Sequence, residues 1–152
     1  MARANYGNLR PMSDSQQVNE TVEGEGYAVT SLDALGEGPG FRKIRSTLGV
    51  TAFGINAIVL PEGYATNKHV HERQEETYFV HSGEIEIEFG DGSKHRLGPG
   101  GLARVDPSTV RRLRNVGEGE ATYICAGGAD GYVGRDGVMG SDSEEAQAGF
   151  GK

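Results

Sequence analysis

The chain has 152 residues, a formal net charge of −7 and 25 glycines. Its length corresponds to about one domain, and the acidic charge argues against nucleic-acid binding, which needs a basic face to displace counterions from phosphates. No run approaches the roughly 20 apolar residues of a membrane span, and the N-terminus has no basic segment followed by an apolar one. We therefore expect a cytoplasmic protein with no membrane partner.

Short apolar runs separated by glycine clusters dominate the first half of the chain. Residues 1–25 carry little to bury and are predicted to form a flexible arm, either mobile or donated as a strand to a neighbouring chain. Strand-rich sequence follows at residues 27–32, 41–48 and 50–60, and the last run is ended by Pro61-Glu62-Gly63. This punctuation is typical of an all-β protein.

A candidate metal site comes next in the sequence. Because side chains alternate between the faces of a strand, His69 and His71 project to one side while Val70 faces away. Glu76 lies far enough along for the chain to turn and return on a neighbouring strand, which would bring a carboxylate to the same cavity. Imidazole and carboxylate ligands suit a divalent iron, manganese, nickel, cobalt or zinc ion.

The order and spacing of Gly63, His69, His71, Glu76 and Gly83 resemble the first motif of the cupin superfamily. This resemblance implies a single antiparallel β-barrel of jelly-roll type. It also implies that the two histidines and the glutamate are three of the metal ligands.

The second cupin motif is only partly matched. Residues 101–107 begin it and Asn115 ends it, but Thr109 stands where glycine is expected and the segment is one residue short. No histidine lies between Pro107 and Asn115. The resemblance therefore implies that the fourth cupin ligand is absent from this chain.

Strand parity chooses the residue that replaces the absent histidine. Counting back from Asn115 gives Arg111, whereas counting forward from the start of the motif gives Arg112. If the apolar Leu113 faces the interior, Arg111 shares its face and Arg112 does not. A guanidinium has no lone pair for a metal, so Arg111 is predicted either to pair with Glu76 or to hold a substrate carboxylate.

Residues 84–89 alternate acidic and apolar side chains, as in a strand with one solvated face. A three-residue loop at 90–92 would place Glu88 opposite Lys94 on the returning strand. This register turns His95 inward, where we expect a core histidine; its role as a replacement ligand is the less favoured alternative.

Two further reactive side chains, Cys125 and His81, are predicted to have no part in the candidate site. Cys125 is the only cysteine, which excludes an intrachain disulfide, and its apolar neighbours indicate a core residue with no chemical role. His81 has the opposite parity from Glu76, so it should face away from the cavity.

The domain organisation predicted from these patterns has three parts. A flexible arm at residues 1–25 precedes a β-barrel domain at 26–133, and a polar, glycine-rich and acidic tail occupies 134–152. Because barrels of the cupin superfamily commonly pair through edge strands, we expect a homodimer.

Two classes of function fit the sequence. In the first, a metal held by His69, His71 and Glu76 serves an oxygenase or isomerase acting on a small oxygen-bearing or carboxylate substrate, which Arg111 or Tyr78 orients as the catalytic residues. In the second, the barrel is a non-catalytic module that binds a sugar or an anion and needs no metal. The resemblance alone does not choose between them, because one fold hosts many functions.

Overall fold

The computed structural model describes residues 17–140. Within this range the secondary structure is almost entirely antiparallel β-strand, with one short α-helix and one turn of 3-10 helix at Asp33–Leu35. The elements are β1 (Val22–Gly24), β2 (Tyr27–Val29), β3 (Gly40–Arg42), α1 (Ile44–Leu48), β4 (Gly54–Leu60), β5 (His69–His71), β6 (Glu75–Ser82), β7 (Ile85–Phe89), β8 (Lys94–Leu97), β9 (Leu102–Val105), β10 (Arg111–Asn115), β11 (Ala121–Gly128) and β12 (Gly137–Met139). The predicted all-β class is confirmed.

Two five-stranded sheets form the body of the domain. One has the strand order β12-β5-β10-β7-β8 and the other β3-β4-β11-β6-β9, while β1 and β2 form a separate hairpin. Inward-facing side chains of both sheets make one hydrophobic core: Ile58, Leu60, Tyr78, Val80, Ile85, Ile87, Val105, Leu113, Ala121 and Tyr123. Two antiparallel sheets closing on a shared core constitute the predicted jelly roll.

The β7–β8 hairpin follows the predicted register. Glu88 pairs with Lys94, and the turn between the strands uses a left-handed backbone at Gly92 with φ of 84°. His95 is nevertheless exposed rather than buried, so the expectation of a core histidine is wrong. β8 is the outermost strand of its sheet in the described chain, and the His95 ring lies near the ring of Phe89, at a centroid distance of 6.0 Å.

The run at residues 41–48 is not one strand as predicted. It divides into β3 and the helix α1, which packs its buried residue Ile44 against the sheet. Gly49 ends the helix in a left-handed conformation with φ of 69°, and the amide of Val50 donates to the carbonyl of Arg45. Packing over the outer face of β4 has overridden the local β propensity of this run.

Strands also occur in the stretches predicted as arm and tail. The hairpin of β1 and β2 pairs Val22 with Val29 across residue 25, and β12 pairs Gly137 with His71 inside the stretch assigned to a tail. Residues 1–16 and 141–152, which make up the rest of the predicted arm and tail, lie outside the described residues. In the part of the chain that is described, no helix has the length and apolar character needed to cross a membrane.

Candidate metal centre

The three predicted ligands lie together in space. His69 and His71 stand on β5 with their rings perpendicular and their centroids 5.4 Å apart, while Glu76 projects from β6 of the opposite sheet. One ligand atom from each of the three residues lies within 4.8 Å of the other two. The proximity of these three side chains agrees with the parity argument and with the predicted turn between the strands.

This cluster opens into a cavity of about 430 Å³ between the two sheets. Aromatic, aliphatic and amide side chains all line it, with Phe41, Tyr64, Tyr123, Tyr132, Ile55, Leu60, Asn56 and Asn67 among them. A volume of this size matches small-molecule sites, which commonly occupy roughly 300–1,000 Å³.

His69 is oriented as a neutral metal ligand. Its Nδ1 lies 2.9 Å from the backbone carbonyl oxygen of Asn67, and because a carbonyl only accepts, Nδ1 must carry the hydrogen. The lone pair is therefore on Nε2. Burial lowers the pKa of His69 below its ordinary value, which favours this neutral form.

His71 lies between two carboxylates. Its Nδ1 donates to Asp136 Oδ1 at 2.7 Å and its Nε2 lies 3.1 Å from Glu76 Oε1. Although burial opposes the charged form, hydrogen bonds to Glu76 and Asp136 raise the pKa of His71. In the metal-free protein these contacts favour the imidazolium, and a metal would take the place of the proton on Nε2.

Asp136 is a part of the site that the sequence analysis missed. Besides His71, its carboxylate accepts the Gln74 side-chain amide at 2.6 Å and the backbone amides of Arg73 and Gln74 at 3.0 Å each. These bonds hold the pKa of Asp136 well below its usual range despite the cost of burial. Asp136 stands in a polar, glycine-rich stretch, so only the pairing of β12 with β5 reveals its role.

Replacing Asp136 with asparagine is expected to weaken manganese(II) binding by about 10–100-fold, the usual cost of losing the partner that orients a ligating histidine. Asp106→Asn provides the matched control, since Asp106 is an exposed acid paired only with the exposed Arg104. Anaerobic titration followed by electron paramagnetic resonance measures both affinities. Equal affinities for the two variants would contradict the role of Asp136.

The carboxylate of Glu76 is engaged through both oxygens. Oε2 accepts hydrogen bonds from Arg111 Nη2 at 2.5 Å and from the Tyr78 hydroxyl, and Oε1 accepts one from the Cys125 thiol at 3.2 Å. Burial alone would raise the pKa of Glu76, but His71, Tyr78 and Arg111 lower it to about 2. Glu76 is therefore ionised throughout the neutral range and supplies an anionic oxygen.

Arg111 faces the interior, as strand parity predicted. Its side chain is 0% exposed, and Leu113 shares its buried face, whereas Arg112 points outward to Glu88 at 2.9 Å. Beyond the pair with Glu76, Nε donates to the Tyr78 hydroxyl and Nη1 to the Thr109 carbonyl, each at 3.1 Å. Arg111 thus adopts the first of its two predicted roles, pairing with Glu76, and lies behind the cavity wall.

The other two side chains around Glu76 act as donors to it. Burial raises the pKa of Tyr78 and of Cys125 far above their ordinary values, so both stay protonated near neutral pH. Tyr78 can orient Glu76 but does not act as a base, and Cys125 is a thiol and not a nucleophilic thiolate. His81 is exposed on the other side of its strand, which confirms its predicted orientation.

The donor set fits a divalent transition metal. The Nε2 atom of His69, the Nε2 atom of His71 once its proton has left, and one ionised carboxylate oxygen are hard to intermediate ligands that suit such an ion. Glu76 stands between the Arg111 guanidinium and the two histidines. It therefore offsets the repulsion that a buried cation would otherwise exert on a metal ion.

Comparison with known proteins agrees with this architecture. Residues 57–127 match the cupin domain family, and no curated protein matches the sequence. A conserved protein with a double-stranded β-helix domain from Klebsiella pneumoniae has a TM-score of 0.62 at 22% identity. The aligned region covers 73% of this chain and 95% of the Klebsiella chain. These values establish a shared fold.

Two enzymes have the same fold with less overlap. A sugar phosphate isomerase from Silicibacter pomeroyi gives a TM-score of 0.53 at 22% identity over 68% of this chain, which spans only 59% of that protein's length. An oxalate oxidase in complex with glycolate gives a TM-score of 0.51 at 17% identity. The aligned region covers 58% of this chain and 46% of the oxidase chain. Residues 57–127 therefore form a cupin domain by their family match, and the jelly roll and the first-motif spacing agree with this assignment.

Proposed function

We propose that the cavity is the active site of a metal-dependent enzyme, of oxygenase or isomerase type, that acts on a small oxygen-bearing molecule. The observation that carries this proposal is the convergence of His69, His71 and Glu76 on a cavity large enough for a metabolite. Three protein ligands leave further coordination positions for a substrate or water.

Each residue of the site has a defined task in this proposal. His69 and His71 hold the metal through Nε2, because Asn67 and Asp136 occupy their Nδ1 atoms. Glu76 supplies the anionic ligand, and Arg111 behind it fixes the direction of its carboxylate. When bound, a divalent metal would supply Lewis acidity that polarises an oxygen of the substrate.

Tyr78, which the sequence analysis expected to orient the substrate, is in this proposal a positioning residue for Glu76. Its ring lines the cavity, and its hydroxyl bridges Glu76 and Arg111. Because the hydroxyl proton is committed to Glu76, Tyr78 acts through the position of that carboxylate. Tyr78→Phe should therefore change metal affinity and turnover together.

The proposal is tested by turnover in a panel of small oxygenated metabolites. Protein loaded separately with iron(II), manganese, nickel, cobalt or zinc would be incubated with hydroxy acids, keto acids, dicarboxylic acids and sugar phosphates, with and without dioxygen, and followed by NMR. We expect turnover with at least one metal, and none in His69→Ala. Turnover that survives chelation and His69→Ala would contradict the proposal.

The alternative function is a non-catalytic binding module for a sugar or anion with no essential metal. The ion pair between Arg111 and Glu76 favours it, because this pair neutralises the buried carboxylate without any metal. Ligand binding of equal strength in chelated and metal-loaded protein, without turnover, would select this alternative.

We also propose that the chain forms a homodimer through the outer face of the sheet that ends in β9. Phe79 and Leu102 pair across β6 and β9 and are 38% and 64% exposed, next to Ile124 on β11. Such an apolar patch beside an unpaired sheet edge is typical of an interaction surface. A second copy of the chain would cover it.

Leu102→Glu is accordingly expected to convert dimers to monomers in light scattering at micromolar concentration, since a buried unpaired carboxylate is costly at an interface. Thr51→Glu, which adds the same charge at an exposed site away from β9, should leave the mass unchanged. A monomeric mass for the unmodified chain would contradict the proposed dimer.

A further inference from the structure

The charged side chains that line the cavity are few. Among the lining residues of the described chain, Glu76 is the one carboxylate and Arg135 the one arginine or lysine, and the remaining polar groups are histidines, amides and hydroxyls. In a chain of net charge −7, this single guanidinium in the cavity wall is a distinctive feature.

The carboxylate of Glu76 does not neutralise Arg135. Glu76 is already paired with Arg111 at 2.5 Å and with His71 at 3.1 Å. Asp136, the acid next to Arg135 in sequence, is likewise committed to His71 and Gln74. Within residues 17–140, the guanidinium of Arg135 has no carboxylate partner.

The backbone at Arg135 is held in place by its surroundings. Arg135 has a left-handed conformation with φ of 54°, which is uncommon for a residue other than glycine. The following residue, Asp136, is anchored by its four hydrogen bonds, and β12 begins directly after it. The anchored turn presents Arg135 as an exposed side chain at the rim of the cavity.

We propose that Arg135 recognises an anionic group, a carboxylate or a phosphate ester, on the small molecule that occupies the cavity. This inference rests on the proposed small-molecule site and names its substrate class. A guanidinium offers two parallel N–H donors to such a group, which gives both affinity and orientation. Arg111 is not available for this task because its nitrogens already bond Glu76, Tyr78 and Thr109.

The remainder of the ligand should be apolar or aromatic. Besides the polar groups, the wall includes Phe41, Ile55, Tyr132 and Met139. The ring of Tyr132 is held under the guanidinium of Arg45 at 4.0 Å, which fixes this aromatic face at the rim. The expected ligand is therefore a small amphipathic anion, with its charge at Arg135 and its body directed toward the metal centre.

The test uses protein from which metal has been stripped by a chelator and the chelator then removed by dialysis, so that failure of the metal site does not affect the result and no chelator carboxylate competes for Arg135. Benzoate and phenyl phosphate serve as anionic probes, with benzamide as the neutral analogue, and NMR chemical-shift titration gives their affinities. We expect Arg135→Gln to weaken binding of at least one anion by about 10–100-fold and to leave benzamide unchanged. The anion that binds more tightly distinguishes a carboxylate from a phosphate ligand.

Arg96→Gln is the matched control, because it removes the same charge from an exposed position on β8. Its affinities for both anions should equal those of the unmodified chain. If Arg135→Gln and Arg96→Gln weakened anion binding equally, the change in net charge alone would explain the loss of affinity, and the proposal would be overturned. Failure of both anions to bind the unmodified chain better than benzamide would overturn it as well.

Discussion

Replacing Arg111 with methionine is expected to lower the free energy of unfolding by about 3–5 kcal/mol, the usual cost of removing one partner of a buried ion pair. The Arg111 side chain is 0% exposed, and its removal leaves the Glu76 carboxylate with His71 as its remaining cationic partner. Methionine fills similar space, so the loss reflects the weaker compensation of the buried charge and the broken hydrogen bonds to Tyr78 and Thr109. Urea unfolding of metal-free protein measures the change.

Two further variants separate this effect from a general loss of charge. Arg112→Met removes a cation from the outer face of the same strand, where its pair with Glu88 is worth about 1 kcal/mol or less. Adding Glu76→Gln to Arg111→Met also removes the charge of the buried Glu76 carboxylate. The double variant should therefore recover part of the stability lost in Arg111→Met. An equal loss in Arg111→Met and Arg112→Met would show that Arg111 is not the buried partner.

Replacing His71 with alanine is expected to lower the affinity for manganese(II) or iron(II) by more than about 100-fold. Loss of the outer partner of a ligating histidine already costs about 10–100-fold, and His71→Ala removes the ligand itself. The variant also frees Asp136 and Glu76, which both contact the His71 ring. Anaerobic calorimetric titration measures this change.

His81 and His95 provide internal controls for that measurement. Both are exposed and lie outside the cavity wall, so alanine at either position should leave metal affinity unchanged. If His81→Ala lost affinity to the same extent as His71→Ala, the metal would not be bound where the three ligands converge.

Much of the fold was predictable because local pattern and tertiary packing agree. The alternation in β7 and the glycine loop after it fixed the register of Glu88 against Lys94. Sequence periodicity gave wrong predictions where the position of a segment in the tertiary structure determines burial or secondary structure. His95 has inward parity, but its strand is the sheet edge and the side chain is exposed. Likewise, the run at 41–48 has strand-like composition, but packing on the sheet forms a helix there.

The candidate site likewise contains residues that local sequence pattern predicts and one residue that it does not. His69, His71 and Glu76 form a local motif whose parity follows from their spacing, and Leu113 was enough to place Arg111 inside. Asp136 could not be found in this way. Its role depends on the antiparallel pairing of β12 with β5, between segments more than sixty residues apart in the chain. No local periodicity encodes such a contact, and the polar composition around Asp136 predicted a tail.

The central claim is that His69, His71 and Glu76 hold one metal ion. The most direct measurement is anomalous X-ray scattering from a crystal of the unmodified chain equilibrated with zinc(II). We expect one strong peak at about 2.0–2.2 Å from an imidazole nitrogen of each histidine and from a Glu76 oxygen, with Arg111 still paired to the carboxylate. A peak at any other position, or none in the cavity, would contradict it.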